Sequence, residues 1–186
     1  MQTRRIAFPL LALAVPALLG AAPAAASAPP AAAAPAAAPA APAAGWEPAP
    51  SAPWELPAGA RCDFPISGVP VVDEVVQLVT ETHPDGSPKT VVYKGDLVIR
   101  VTNLETGAAH DADASGSAVV EYAADSSASF WYVVGPVLVG VGENGGNVPR
   151  GLYIVDGVYT LDIGADGYKT IDMVAGTTDD ICAHID

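Results

Sequence analysis

The residues of this chain that could support metal or acid–base chemistry are few and scattered. There are three histidines, His83, His110 and His184, and two cysteines, Cys62 and Cys182. A zinc site needs three or four such side chains to converge, and in sequence motifs two of them usually stand a few residues apart. The histidines are widely separated, and the spacing of His184 from Cys182 is one that common zinc motifs do not use. The sequence therefore predicts no metal site and no bound cofactor.

The nearest approach to a catalytic pair is His110 beside Asp111, at the start of the segment Asp111–Gly116 (DADASG). A histidine next to a carboxylate could act as a general base, but neighbouring residues of a strand point to opposite faces of a sheet. The segment also resembles the opening of an EF-hand calcium loop, except that Tyr122 occupies the final position, where glutamate is needed. Catalytic residues are therefore not predicted, although a barrel-type isomerase or hydrolase remains an alternative.

The N-terminus has the pattern of a secretory leader. Arg4 and Arg5 precede an apolar stretch at 6–19, and small residues with an Ala24–Ala26 cleavage pattern follow it. A basic flank, a short apolar run and an A-x-A site predict a signal peptide over 1–26 rather than a membrane anchor.

Beyond the leader the chain divides into a linker and a domain. Residues 27–53 are rich in alanine and proline, which predicts a disordered linker that cannot form a core. Valine, isoleucine, threonine and tyrosine then dominate, with turn residues at short intervals, so the folded domain is predicted over 54–186. The formal net charge is −13, and it becomes about −15 without the two leader arginines. Such acidity opposes binding to nucleic acid or to an anionic membrane surface.

The two cysteines stand near the two ends of the predicted domain. In an exported protein the default expectation is a disulfide between Cys62 and Cys182. The alternative, two free thiols or a metal-binding pair, lacks further ligands at short spacing. A disulfide here would close a loop of about 120 residues and join the first and last segments of the domain.

The longest apolar run outside the leader is Phe130–Val141 (FWYVVGPVLVGV), and it is broken once, at Gly135-Pro136. It predicts two buried strands that meet at a corner, because proline cannot donate a hydrogen bond within a central ladder. Asp156-Gly157 and Asp166-Gly167 each predict a tight hairpin turn. The glycine-rich loop at 142–151 is expected to be either a lid or a long connection.

Short strands separated by turns predict an all-β domain. Their sequential, hairpin-linked order favours an antiparallel up-and-down β-barrel of about eight strands, with a β-sandwich as the alternative. A barrel of this size can hold one small ligand. Four aromatic residues of the central and following strands are the candidates to line its pocket: Trp131, Tyr132, Tyr153 and Tyr159.

Several short motifs carry a resemblance to a known group of proteins. They are CDFP at 62–65, THPDG at 82–86, VTNLETG at 101–107, GPVLV at 135–139, GLY at 151–153, DGYKT at 166–170 and DIC at 180–182. In these motifs the chain resembles small secreted β-rich proteins of actinomycetes, over roughly residues 56–186. The resemblance implies secretion, one terminal disulfide and a β-rich domain, and it brings no catalytic residues.

Together these features predict a secreted, non-enzymatic protein that is extracellular or associated with the cell envelope, without a stable membrane anchor. Its expected partner is a small apolar molecule or an extracellular protein, and not nucleic acid. A structural protein of the cell envelope, with residues 27–53 as its spacer, remains a further alternative.

Overall fold

The computed structural model describes residues 45–186; the predicted signal peptide over 1–26 and residues 27–44 of the predicted linker lie outside the described residues. The described chain has twelve β-strands and one helical turn. Their bounds are β1 Glu47–Pro48, β2 Trp54–Leu56, β3 Ile66–Asp73, β4 Val76–Thr82, β5 Pro88–Lys94, β6 Leu97–Asn103, β7 Ala109–Asp113, β8 Ser117–Tyr122, β9 Ala128–Val134, β10 Val137–Val141, β11 Gly151–Ile163, β12 Lys169–Asp180 and α1 Ile181–His184.

The strands form two antiparallel sheets. The larger sheet has eight strands in the order β1-β4-β5-β8-β9-β11-β10, with β12 also paired to β11. The smaller sheet has four, in the order β2-β3-β6-β7. The chain passes from the larger to the smaller sheet between β5 and β6, and it returns between β7 and β8. The prediction of an all-β antiparallel domain is therefore confirmed.

The predicted barrel is wrong, because neither sheet closes on itself within residues 45–186. A barrel requires the first and last strands of one sheet to pair, whereas here four strands leave the larger sheet and build a second layer. Ile99 of the smaller sheet and Leu152 of the larger one belong to the same apolar cluster, against which Leu138 of the larger sheet also packs. This two-sheet arrangement fits the β-sandwich alternative.

The central apolar run forms β9 and β10, and both strands pair with the single long strand β11. Val134 lies opposite Val158, and Val137 lies opposite Val155, so the register is the same on both sides of the break. The predicted division into two strands at Gly135-Pro136 is confirmed. The two strands follow one another along one side of β11 rather than lying side by side.

The hairpin predicted at Asp156-Gly157 is not formed. Here β11 runs unbroken, and Gly157 lies opposite Gly176 of β12. The two glycines have φ of +145° and +148°, values that side chains other than glycine rarely adopt. A Cβ on Gly157 would also collide with the backbone oxygen of Ala175. Asp156-Gly157 therefore lies within paired strands, just before a register shift at Val158/Tyr159, whereas Asp166-Gly167 forms the predicted turn between β11 and β12.

Two apolar clusters form the core. The first lies between the smaller sheet, α1 and the start of β11, and the second lies on the larger sheet. The first contains Cys62, Phe64, Ile66, Ile99, Val101, Ala112, Leu152, Ile181 and Ile185. The second contains Ala118, Val120, Val133, Val139, Val141, Val155, Tyr159, Leu161 and Ile171. Strand alternation explains the members that lie in strands, because every second residue of a strand faces the core. Cys62 and Phe64 precede β3, and Ile181 and Ile185 belong to or follow α1.

The C-terminus is fastened to the first cluster by covalent and polar bonds. Cys62 and Cys182 form the predicted disulfide, which joins the segment before β3 to α1. The side chain of Asn103 is buried, and its Nδ2 donates to the carbonyl oxygen of Ile185 at 2.9 Å. Its Oδ1 accepts from the backbone N–H of Glu105 at 2.9 Å. One side chain therefore fixes both the turn after β6 and the end of the chain.

Candidate functional site

The candidate functional site is a cavity of about 450 Å³ between the two sheets. Volumes of about 300–1,000 Å³ are typical of sites for small molecules. The larger sheet contributes residues of β5, β8, β9 and β10, the smaller sheet contributes β2 and β6, and the remainder comes from connecting segments. The lining consists of Ala49, Ser51, Ala52, Trp54, Val75, Tyr93, Lys94, Gly95, Leu97, Ile99, Ala114, Gly116, Ala118, Val120, Tyr122, Trp131, Val137 and Leu138.

Small side chains on and before β8 leave this space open. Ala118, Val120 and Tyr122 alternate along the strand and therefore share one face. Ala118 lies opposite Tyr93 of β5, and its methyl group leaves space beside the tyrosine that a larger side chain would fill. Ala114 and Gly116, in the segment that leads into β8, also line the cavity. The walls are predominantly apolar as a result.

Two tyrosines supply a polar group in the wall of the cavity. The hydroxyl oxygens of Tyr93 and Tyr122 are 2.8 Å apart, so one hydroxyl donates to the other. Burial, and then the hydrogen bond with Tyr122, raise the pKa of Tyr93 above its usual value. Tyr93 therefore stays uncharged at ordinary pH. Because two hydroxyls share one mutual hydrogen bond, one hydroxyl hydrogen is left to donate to another group.

Trp131 supplies an aromatic wall of the cavity. Its indole Nε1–H is buried, has no acceptor among residues 45–186, and is not exposed to the cavity. Leaving a buried donor unpaired costs about 1–3 kcal/mol. The cavity thus combines apolar walls with one available donor, on the tyrosine pair.

The segment before β2 forms another wall. The N–H of Ala49 donates to the carbonyl oxygen of Val75 at 2.9 Å, and the N–H of Ser51 donates to Asp73 Oδ2 at 2.6 Å. These bonds place residues 45–53, the end of the predicted linker, against the domain. Trp54 follows and packs on Gly68 of β3, where a Cβ would collide with its ring.

Lys94 is the charged residue of the lining. Its Nζ lies 4.2 Å from the centre of the Trp46 ring, a cation–π contact. The lining among the described residues includes neither a carboxylate nor a histidine. The cavity therefore suits an uncharged ligand better than an ionic one.

The four aromatic residues expected in the pocket do not share one site. Trp131 lines the cavity, whereas Tyr132 is 56% exposed on the other face of β9, as its odd–even relation to Trp131 requires. Tyr159 is 1% exposed and belongs to the core of the larger sheet. Tyr153 donates its hydroxyl to the carbonyl oxygen of Pro149 at 3.2 Å, in the loop after β10.

Tyr93, Tyr122 and Trp54 line the cavity, but they were not among the pocket residues predicted from the sequence. The alternation of Ala118, Val120 and Tyr122 marks one face of β8, but it does not show which face of which neighbouring strand lies across from it. That pairing depends on the passage of the chain between the two sheets, which short-range patterns do not encode.

The loop at 142–151 does not line the cavity. Asn147 fastens it to β12, because its side chain bonds both the N–H and the carbonyl oxygen of Ile171 at 2.9 Å. Arg150 pairs with Asp63 and, at 3.4 Å, with Glu143. The loop is therefore a connection tied to its surroundings rather than a lid over this site.

The His110–Asp111 pair does not form a catalytic unit in the structure. Asp111 accepts two hydrogen bonds of 2.7 Å from the guanidinium of Arg100, and this partner lowers the pKa of its carboxyl. His110 stacks instead on His184. Asp113 accepts from the N–H of Ser115 at 2.9 Å and closes a polar turn. The DADASG segment thus forms a strand edge and a turn.

No protein-family model, no curated protein and no solved structure matches the chain. The residues of the cavity are therefore the basis for a functional proposal.

Within residues 45–186, no helix is long and apolar enough to cross a membrane.

Proposed function

We propose that the protein is an exported, non-enzymatic binding protein that holds one small, uncharged and largely apolar molecule in the cavity between its sheets. The observation that carries the proposal is an apolar cavity of about 450 Å³ between the sheets, lined by Trp131 and by the hydrogen-bonded Tyr93–Tyr122 pair. The ligand would present one hydrogen-bond acceptor, such as a carbonyl or ether oxygen, to the hydroxyl hydrogen that this pair leaves free.

Three further features support binding rather than catalysis and an extracellular location. The described lining offers no histidine and no carboxylate for proton transfer. The Tyr93–Tyr122 pair offers a hydrogen-bond donor beside the apolar walls. The disulfide is typical of proteins that work outside the reducing cytoplasm, which accords with the leader predicted over 1–26.

Filling the cavity should abolish binding. We expect saturable fluorescence enhancement of the neutral apolar probe N-phenylnaphthylamine by the wild-type protein. Ala118→Leu, which adds a branched side chain to the cavity wall, should weaken binding by at least about tenfold, equivalent to about 1.4 kcal/mol. The measurement is a fluorescence titration at constant temperature.

Two other variants make this test specific. Ala175→Leu adds the same atoms to an exposed position of β12 and should bind the probe as the wild type does. Tyr93→Phe/Tyr122→Phe keeps both aromatic rings but removes the hydroxyl donor of the pair, so it should weaken binding of an aromatic ketone more than that of a hydrocarbon of similar size. Unchanged probe affinity in Ala118→Leu, or no saturable binding by the wild type, would contradict the proposal.

A further inference from the structure

A cluster of potential metal ligands lies away from the cavity, at the C-terminal corner of the domain. His110 of β7, Asp179 of β12 and His184 of α1 each present a ligand atom, and these atoms all lie within 4.8 Å of one another. The rings of His110 and His184 stack with their centres 4.3 Å apart and their planes at 12°. His184 Nε2 lies 2.8 Å and 3.0 Å from the two carboxylate oxygens of Asp179.

We propose that these three side chains bind one divalent transition-metal ion, with Zn²⁺ the best fit. Two imidazole nitrogens and one carboxylate oxygen form a donor set that zinc favours, with water completing the tetrahedron. Bonds of about 2.0–2.2 Å would bring the ligand atoms to within about 3.3 Å of one another. Rotation of the exposed Asp179 and His184 side chains would shorten the distances between the ligand atoms from up to 4.8 Å to these values. The backbone would not need to change.

The fold holds the backbones of all three ligands in place. His110 lies opposite Val101 within the smaller sheet, and Asp179 lies opposite Ile154 in the β11–β12 ladder. Little backbone freedom would be lost when an ion binds, because these positions are already fixed by strand pairing.

The backbone of His184 is fixed by the turn that contains it, although its side chain is exposed. It stands in α1 between Ile181 and Ile185, both fully buried. Cys182 ties the same turn to Cys62 through the disulfide, and Asp180 caps it by accepting from the N–H of Cys182 at 3.0 Å.

The charge of the site also favours a cation. The chain has a formal net charge of −13, and no ion pair with lysine or arginine involves Asp179 among the described residues. Asp111, next to His110, is already neutralised by Arg100. A bound ion would link β7, β12 and α1, and it would therefore stabilise the corner where the two sheets and the disulfide meet.

The direct test is a zinc titration of the metal-free protein with its disulfide intact. After treatment with EDTA and removal of the chelator, isothermal titration calorimetry should show one zinc ion bound per chain. At a free zinc concentration roughly a hundred times the Kd, the melting temperature should rise by about 5–10 °C. Absence of stoichiometric binding, or no rise in melting temperature, would overturn the proposal.

Matched substitutions locate the ion. His110→Gln, His184→Gln and Asp179→Asn should each lower zinc affinity by at least about tenfold, as expected for the loss of a ligand. His83→Gln, which removes the histidine outside the cluster, should bind zinc as the wild type does. Equal affinity in the cluster variants, or a loss confined to His83→Gln, would show that the site lies elsewhere.

A measurement on the wild-type protein keeps the test decisive even if a variant fails to fold. Zinc should shift the imidazole NMR signals of two histidines and leave the third unchanged. Shifts in all three, or in none, would contradict the assignment.

Discussion

Loss of the Cys62–Cys182 disulfide is expected to lower the free energy of unfolding by about 4–5 kcal/mol. The bond joins residues 120 positions apart, and a loop of that length loses much of its freedom in the unfolded chain when its ends are joined. Cys62 is also 2% exposed within the first core cluster. Urea denaturation of Cys62→Ala/Cys182→Ala against the wild type measures the difference.

The size of this effect matters because a domain is stable by only about 5–15 kcal/mol. We therefore expect the double variant to be partly unfolded at physiological temperature. Wild-type protein denatured with and without a reductant provides the control, since reduction leaves both sulfur atoms in place. A loss below about 1 kcal/mol in both experiments would show that the disulfide contributes little to holding the C-terminal turn on the domain.

Gly157→Ala is expected to destabilise the domain by about 3–5 kcal/mol. The residue has φ of +145°, a backbone conformation that alanine adopts only under strain. In addition, the new Cβ would collide with the backbone oxygen of Ala175 on the paired strand. Relief requires β11 and β12 to separate where Gly157 lies opposite Gly176. Thermal and urea unfolding, followed by circular dichroism, measure the loss.

Gly167→Ala is the matched control for this prediction. Gly167 also has positive φ, +80°, but it lies in the β11–β12 turn, and a Cβ there would meet no atom within 4 Å. It should therefore cost only the conformational term, about 1–2 kcal/mol. Equal losses for the two variants would mean that close packing of β11 against β12 at Gly157 adds nothing to the backbone strain.

These two glycines also show how far local patterns predict this fold. Asp156-Gly157 and Asp166-Gly167 carry the same turn signal, yet only the second is a turn. Gly157 meets Gly176 across the ladder, and a dipeptide cannot indicate that a glycine of the next strand will lie opposite it. The Asp-Gly pattern alone therefore does not show whether the chain reverses at that position.

The sequence left both a barrel and a β-sandwich open for a related reason. Strand alternation predicts which residues of β6 and β8 are buried, but a passage from one sheet to the other looks the same as an ordinary turn. Gly68 and Pro70 interrupt the alternating pattern of β3, so that segment carries no clear strand signal. In the structure, Gly68 provides the surface on which Trp54 packs.

The candidate sites were predictable to different degrees. Trp131 was identified because the apolar run around it predicts a buried strand. Tyr93 and Tyr122 approach each other only through the pairing of β5 with β8. His110 and His184 approach only because α1 packs beside β7, far along the chain. For both of these pairs, the residue types were visible in the sequence, but their proximity in the folded chain was not.

Native mass spectrometry of protein taken from its producer's culture medium tests the central claim most directly. We expect a mature chain that is two hydrogens lighter than its reduced form. It should carry one small organic molecule that is released on denaturation. Recombinant Ala118→Leu, exposed to the same medium, should lack the added mass, and an increment equal to one zinc ion would belong to the histidine cluster instead. A wild-type chain that carries no organic molecule, or an adduct that Ala118→Leu retains, would contradict a ligand in the cavity.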